Sequence, residues 1–189
     1  MKKQIRFGLD IDGTVTCPET FIPYLNEHFN KNITLQDITQ YELFPLLNIT
    51  KEEFWIWMTK YEPIIYENAK LAAAFTEVLK KWEDKHHFTY ISARGSHLRE
   101  VTEQWFQKHS IPYHHLELLG QHNKLDAVKK HQIDIFFEDK HDNACDIAEQ
   151  CNIPVILFDT PYNQDPIPKK VIRVKNWQEA AIWVDNWLK

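Results

Sequence analysis

Asp10-Ile11-Asp12-Gly13-Thr14 places two carboxylates one residue apart, after one apolar run and before a glycine. At a strand end such a pair projects toward a shared space, and Gly13 permits the tight turn that follows. A second acid pair, Glu138-Asp139, follows the apolar run from Ile133 to Phe137. Four carboxylates drawn together repel one another, so the pattern calls for a divalent cation. Hard oxygen ligands favour Mg²⁺ over zinc. Mg²⁺ often takes one or two carboxylates and completes its shell with phosphate oxygens, which makes a small phosphorylated molecule the expected ligand. Ser92 closes a third apolar run and Lys124 opens a helix-like stretch, supplying a hydroxyl and a cation for the same purpose. Asp142 reads as a helix N-cap. Arg94 reads equally as a phosphate contact and as a surface residue.

Those residues can meet only if strands bring them to one edge. Lys3 to Asp10 reads as the first strand, with Ile5, Phe7 and Leu9 alternating. Short β-rich runs recur at His87 to Ile91, His115 to Leu119, Ile133 to Phe137, Pro154 to Phe158 and Val171 to Val174. Helix-like stretches separate them at Ser96 to His109, Asn123 to Gln132 and Asn143 to Cys151, and a Trp-rich helix closes the chain. Strand alternating with helix predicts an α/β fold with a parallel sheet covered on both faces. In such sheets ligands bind at the carboxyl ends of the strands, where the acids, Ser92 and the Lys124 helix are expected.

The stretch from 17 to 66 falls outside that alternation. Pro18 to Asn30 reads as a helix, and Thr34-x-x-Asp37 and Thr50-x-x-Glu53 read as capping boxes of two more. Pro63 is expected to end the last of these, and Glu67 to Glu83 to form a further helix. The organisation is therefore a core of 1–16 and 67–189 with a small helical insertion over 17–66.

Asp10-x-Asp12-Gly13-Thr14, Phe88-Thr89-Tyr90-Ile91-Ser92, Lys124 and Phe136-Phe137-Glu138-Asp139 resemble, in this order, the four motifs of the haloacid-dehalogenase-like phosphatases. The resemblance spans roughly Phe7 to Phe158. With its early helical cap and adjacent acid pair, the chain looks closest to the 5′(3′)-deoxyribonucleotidase-like branch. It departs from that branch in Ser92-Ala93-Arg94 and in Glu138, where Pro or Thr and Asp are the commoner residues. The resemblance implies a Rossmann-like core and Mg²⁺-dependent hydrolysis of a phosphomonoester. Asp10 would be the nucleophile, forming an aspartyl-phosphate, and Asp12 the general acid and base. Asp10, the Asp12 carbonyl and Asp139 would hold the metal, with Glu138 beside them and Asp142 a weaker candidate. Ser92, Lys124 and Thr14 would hold the phosphate. A nucleoside monophosphate is the implied substrate; phosphatase action on a sugar phosphate and a non-catalytic receiver-like module are the alternatives.

Composition agrees with a small soluble ligand. The 189 residues carry 22 Lys and Arg against 27 Asp and Glu, a net charge of −5, which argues against a nucleic-acid polymer. No apolar run approaches the ~20 residues of a membrane span, and the start of the chain does not read as a signal peptide. Three cysteines without a CxxC pair fit a cytoplasmic setting. Ten histidines invite a zinc reading, but neighbours such as His86-His87 point to opposite faces of a strand. Of the aromatics in the insertion, Phe21 and Phe44 are the first candidates to stack on a base. Oligomeric state is not legible.

Overall fold

The computed structural model describes residues 4–189. Its first half runs β1 (Arg6–Leu9), α1 (Ile22–Phe29), α2 (Phe44–Leu47), α3 (Lys51–Glu67), α4 (Phe75–Trp82), β2 (His87–Ser92) and α5 (Arg99–Lys108). The second half adds β3 (His115–Leu118), α6 (Leu125–Lys130), β4 (Ile135–Glu138), α7 (His141–Gln150), β5 (Val155–Phe158), β6 (Val171–Val174) and α8 (Trp177–Trp187). Short 3₁₀ turns lie at Leu35–Asp37 and Ser96–Leu98. Lys3, the expected start of the first strand, lies outside the described residues.

The six strands form one sheet in the order β3-β2-β1-β4-β5-β6 with every pairing parallel. Period-two alternation divides their side chains between two cores. Phe7, Leu9, Tyr90, Phe137 and Ile156 face α4, α5 and α8, where Trp82, Trp105 and Trp177 complete a buried aromatic layer. Ile91, Phe136, Val155 and Leu157 face the other way, onto Ala127 and Val128 of α6 and Ala144 and Ile147 of α7. Burial on both faces explains the nearly unbroken apolar runs Phe136-Phe137 and Val155-Ile156-Leu157-Phe158. β1 lies between β2 and β4, and the chain turns to opposite sides of it, so the strand order reverses at the β1/β4 edge. That reversal opens a crevice at the carboxyl ends of the strands.

The helical stretch after β1 has its own apolar cluster, built from Leu25, Leu47, Phe54, Trp57, Met58, Ile65 and Tyr66 and closed by Leu98 beside α5. It leaves and rejoins the core through a narrow neck. Thr16 and Leu71 form an antiparallel bridge, Cys17 N–H donates to the Lys70 carbonyl (2.8 Å) and Ala72 N–H to the Val15 carbonyl (2.8 Å).

Several element boundaries differ from expectation. α1 begins at Ile22, four residues after Pro18, with Pro23 in its first turn. Thr50 caps α3 as expected: its hydroxyl accepts from Glu53 N–H (3.1 Å) and its N–H donates to the Glu53 carboxylate (2.8 Å). Pro63 does not end α3, which continues to Glu67. The helix expected over 67–83 shrinks to Phe75–Trp82, because Lys70 to Ala72 pair with the neck and Ala74 takes a left-handed conformation (φ 61°). Asp142 is not an N-cap: Lys140 occupies that position and Asp142 lies within the first turn of α7.

Candidate active site

β1 delivers Asp10 immediately past its last residue, and the Asp10 N–H still donates to the Phe137 carbonyl of β4 (2.9 Å). β2 ends on Ser92 and β4 on Glu138, with Asp139 next; Lys124 is the residue from which α6 starts. All five are buried. Carboxylate oxygens of Asp10, Glu138 and Asp139 lie within 4.8 Å of one another, close enough to share one cation. The set contains only oxygen donors, which fits Mg²⁺ better than a nitrogen- or sulfur-seeking metal.

Lys124 sits between the strands. Its Nζ donates to Asp10 Oδ1 and to Glu138 Oε2 (2.7 Å). Glu138 is saturated: Oε1 accepts from the Asp139 and Lys140 N–H groups (both 3.1 Å), and Asn143 Nδ2 donates to Oε2 (3.3 Å). Glu138 is thus built to aim Lys124, with its lone pairs already engaged. Burial pushes the Asp10 carboxyl up to about 7 against the pull of Lys124. Burial raises Asp139 well above the carboxylate range, and the charges of Glu138 and Asp10 add to the shift. Glu138 goes the other way: burial opposes ionisation, but Lys124 and the converging N–H donors hold it low.

Asp139 Oδ2 accepts from the Tyr162 hydroxyl (2.6 Å), and Asn163 Nδ2 ties the same loop to the Asp139 carbonyl (2.7 Å). Gly13 is required here for two reasons. Its φ of +78° disfavours a side chain, and a Cβ would collide with the Asp139 carboxylate. Ser92 Oγ accepts from the Arg94 N–H (3.2 Å), leaving the hydroxyl proton to donate outward.

Asp12 stands apart from the three-acid cluster. Its carboxylate is held by Arg94, through Nε to Oδ2 (2.9 Å) and Nη2 to Oδ1 (2.7 Å). With two cations against four acids, ionisation of all four would leave a deficit of two positive charges, which one divalent ion would neutralise.

These groups line a cavity of about 510 Å³ whose wall is completed by the helical stretch, through Phe21, Phe54, Trp55, Met58 and Tyr66, and by Gln121 and His122 before α6. That volume suits a small organic molecule. At the rim Tyr41 stands edge-on to His122 (5.6 Å) and Tyr162 (5.9 Å), with Lys140 Nζ 4.4 Å from its ring centre.

A family model described as 5′ nucleotidase, deoxy (pyrimidine), cytosolic type C protein matches residues 3–186. The chain belongs to this nucleotidase family. Its members are phosphomonoester hydrolases. Among relatives, "Putative nucleotidase BH1399" of Halalkalibacterium halodurans is 57% identical over 189 residues, covering 100% of this chain and 97% of that protein. "Nucleotidase CA_C3379" of Clostridium acetobutylicum is 33% identical over 184 residues, covering 97% and 95%. A haloacid dehalogenase-like hydrolase from Streptococcus pneumoniae, SP0104, superposes with a TM-score of 0.67 at 13% identity, over 100% of both chains. That likeness shows a haloacid-dehalogenase-like fold.

Within this nucleotidase-family site, Asp10, Asp12, Ser92, Lys124, Glu138 and Asp139 converge on the cavity, and Phe21 and Arg94 also line it. Three other candidates do not. Thr14 is buried behind the wall with its hydroxyl unpartnered and its carbonyl accepting from Trp177 Nε1 (3.0 Å). Phe44 packs into the apolar cluster of the helical stretch. Asp142 is 81% exposed and paired with His141 (3.3 Å). Sequence reasoning missed Tyr41, Tyr66 and Tyr162, which no motif marks.

Proposed function

We propose that the chain is a Mg²⁺-dependent nucleoside monophosphatase of the cytosol, with 17–66 acting as a cap that covers the substrate. The observation that carries this reading is the meeting of Asp10, Glu138 and Asp139 around Lys124 in the lining of a cavity walled by aromatic side chains. Asp10, Asp139 and the Asp12 carbonyl would hold the ion. Bound there, it would supply positive charge beside the phosphoryl oxygens.

Asp10 attacks phosphorus, the bond to the ester oxygen breaks, and Asp12 gives that oxygen its proton, releasing the nucleoside. Water then attacks the aspartyl-phosphate, Asp12 takes a proton back, and inorganic phosphate leaves. Ser92 and Lys124 donate to the phosphoryl oxygens throughout, where charge gathers in both transition states. The aromatic wall suits a nucleobase, since stacking is tolerant of base identity. Among the described residues no helix is long and apolar enough to cross a membrane.

The test is release of phosphate from deoxyribo- and ribonucleoside 5′-monophosphates and from hexose phosphates, with Mg²⁺ and with chelator. Mg²⁺-dependent hydrolysis favouring nucleotides, abolished in Asp10→Asn, is the expected result. Preference for hexose phosphates would overturn the substrate assignment, and full activity of Asp10→Asn would overturn the nucleophile.

A further inference from the structure

Arg94 lies two residues past the end of β2, and its side chain is 0% exposed. Three of its five guanidinium N–H groups donate to side chains. Nε and Nη2 fork onto the two oxygens of Asp12, and Nη1 donates to Thr102 Oγ1 (3.1 Å) on α5. Thr102 in turn donates to the Leu98 carbonyl (2.8 Å), which fixes its rotamer. The ring of Tyr66, from α3, covers the flat face of the guanidinium with its centre 3.8 Å from Cζ.

A two-point fork fixes the plane of a carboxylate as well as its distance. Among the described residues the Asp12 carboxylate has no other hydrogen-bond partner, although its side chain is 25% exposed to the cavity. Without the fork Asp12 would sample several rotamers. The Nε and Nη2 donors of Arg94 are committed to Asp12 as a two-point fork, the geometry that matches a carboxylate.

We propose that Arg94 is a positioning residue that locks Asp12 in the orientation needed to protonate the leaving-group oxygen, with Tyr66 and Thr102 bracing it. The proposal rests on the phosphomonoesterase reading. In the first half-reaction the Asp10–phosphorus bond forms, the ester P–O bond breaks, and the proton on Asp12 goes to the departing oxygen. A poor leaving group needs that proton at bond breaking, and a good one departs as the anion without it.

The experiment measures kcat/KM for aryl phosphates from phenyl to 2,4-dinitrophenyl phosphate, in wild type, Arg94→Met and Arg94→Lys. Arg94→Lys keeps a charge in the buried site and guards against a folding failure, but one ammonium cannot fork. Misplacing a catalytic group by about 1 Å costs about 100-fold. Phenyl phosphate should therefore lose about 100-fold in both variants and 2,4-dinitrophenyl phosphate less than about 10-fold. The leaving-group dependence steepens. An equal loss across the series would overturn the proposal, as binding of phosphate or general damage predicts, and so would a lysine variant matching wild type. A wild-type protein inert toward this series and toward nucleoside monophosphates alike would instead sink the hydrolase reading, and the positioning role with it.

Discussion

Replacing Lys124 with Met removes an ammonium and keeps nearly the same shape, which isolates the charge. Lys124 is 3% exposed, its Nζ donates to Asp10 Oδ1 and to Glu138 Oε2 at 2.7 Å, and Asp139 stands in the same cluster. Removing one partner of a buried ion pair costs about 3–5 kcal/mol, because the other charge is left uncompensated. In a domain of this size each kcal/mol lowers Tm by about 2–4 °C, so the metal-free variant should melt about 6–20 °C below wild type. The site would then carry one more uncompensated negative charge, so saturating Mg²⁺ should raise Tm more in the variant than in wild type. Catalysis should suffer separately. Losing one donor to charge that develops in the transition state costs about 10²–10³-fold in kcat. Adding Glu138→Gln to Lys124→Met should recover part of the stability and none of the rate. Thermal melts with and without Mg²⁺, alongside steady-state phosphate release, check each statement. A variant melting with wild type and retaining most of its kcat would refute the electrostatic account of the cluster.

Three further outcomes follow from the same geometry. Unfolded Asp titrates near 3.9, whereas burial raises Asp10 to about 7, so between those values the folded chain holds a proton the unfolded chain has released. Metal-free stability should thus fall as pH rises through that window, by no more than about 1.4 kcal/mol per pH unit for each such proton. Mg²⁺ favours the ionised site, so its gain in Tm should be larger at about pH 8 than at about pH 5; an equal gain would count against the assignment. Tyr162→Phe removes the hydroxyl that donates to Asp139 Oδ2 (2.6 Å). The Mg²⁺ concentration for half-maximal activity should rise about 10–100-fold, with kcat at saturation little changed. Gly13→Ala adds a methyl against the Asp139 carboxylate at a φ of +78°, which should lower stability by about 1–3 kcal/mol and weaken Mg²⁺ activation. Denaturant melts and Mg²⁺ titrations read both effects.

The strand ends were legible because each ends on a polar residue after an apolar run buried on both faces, a pattern with few alternatives. Lys124 was legible as the cation that opens the helix-like stretch leading into β4. Arg94 was not. Its neighbours in the chain are those of a turn, and its partners Asp12, Thr102 and Tyr66 come from three other elements. Pro63 misled because proline removes only one donor from a helix, and the apolar contacts of Ile65 and Tyr66 carry α3 past it. Helical composition over 67–83 could not reveal that Leu71 pairs with Thr16. Histidine rings meet between elements, a contact that no local spacing marks: His87 and His114 lie 3.9 Å apart, between β2 and the residue before β3.

The neck at Thr16 and Leu71 has an evolutionary meaning. A loop whose two ends are already held side by side can change length or content at small entropic cost, since closure depends only weakly on the number of residues enclosed. Asp10, Asp12 and the sheet lie on one side of that clasp, and Phe54, Trp55 and Met58 lie on the other. The enclosed segment can therefore change in length or content at little cost to the sheet that carries Asp10 and Asp12.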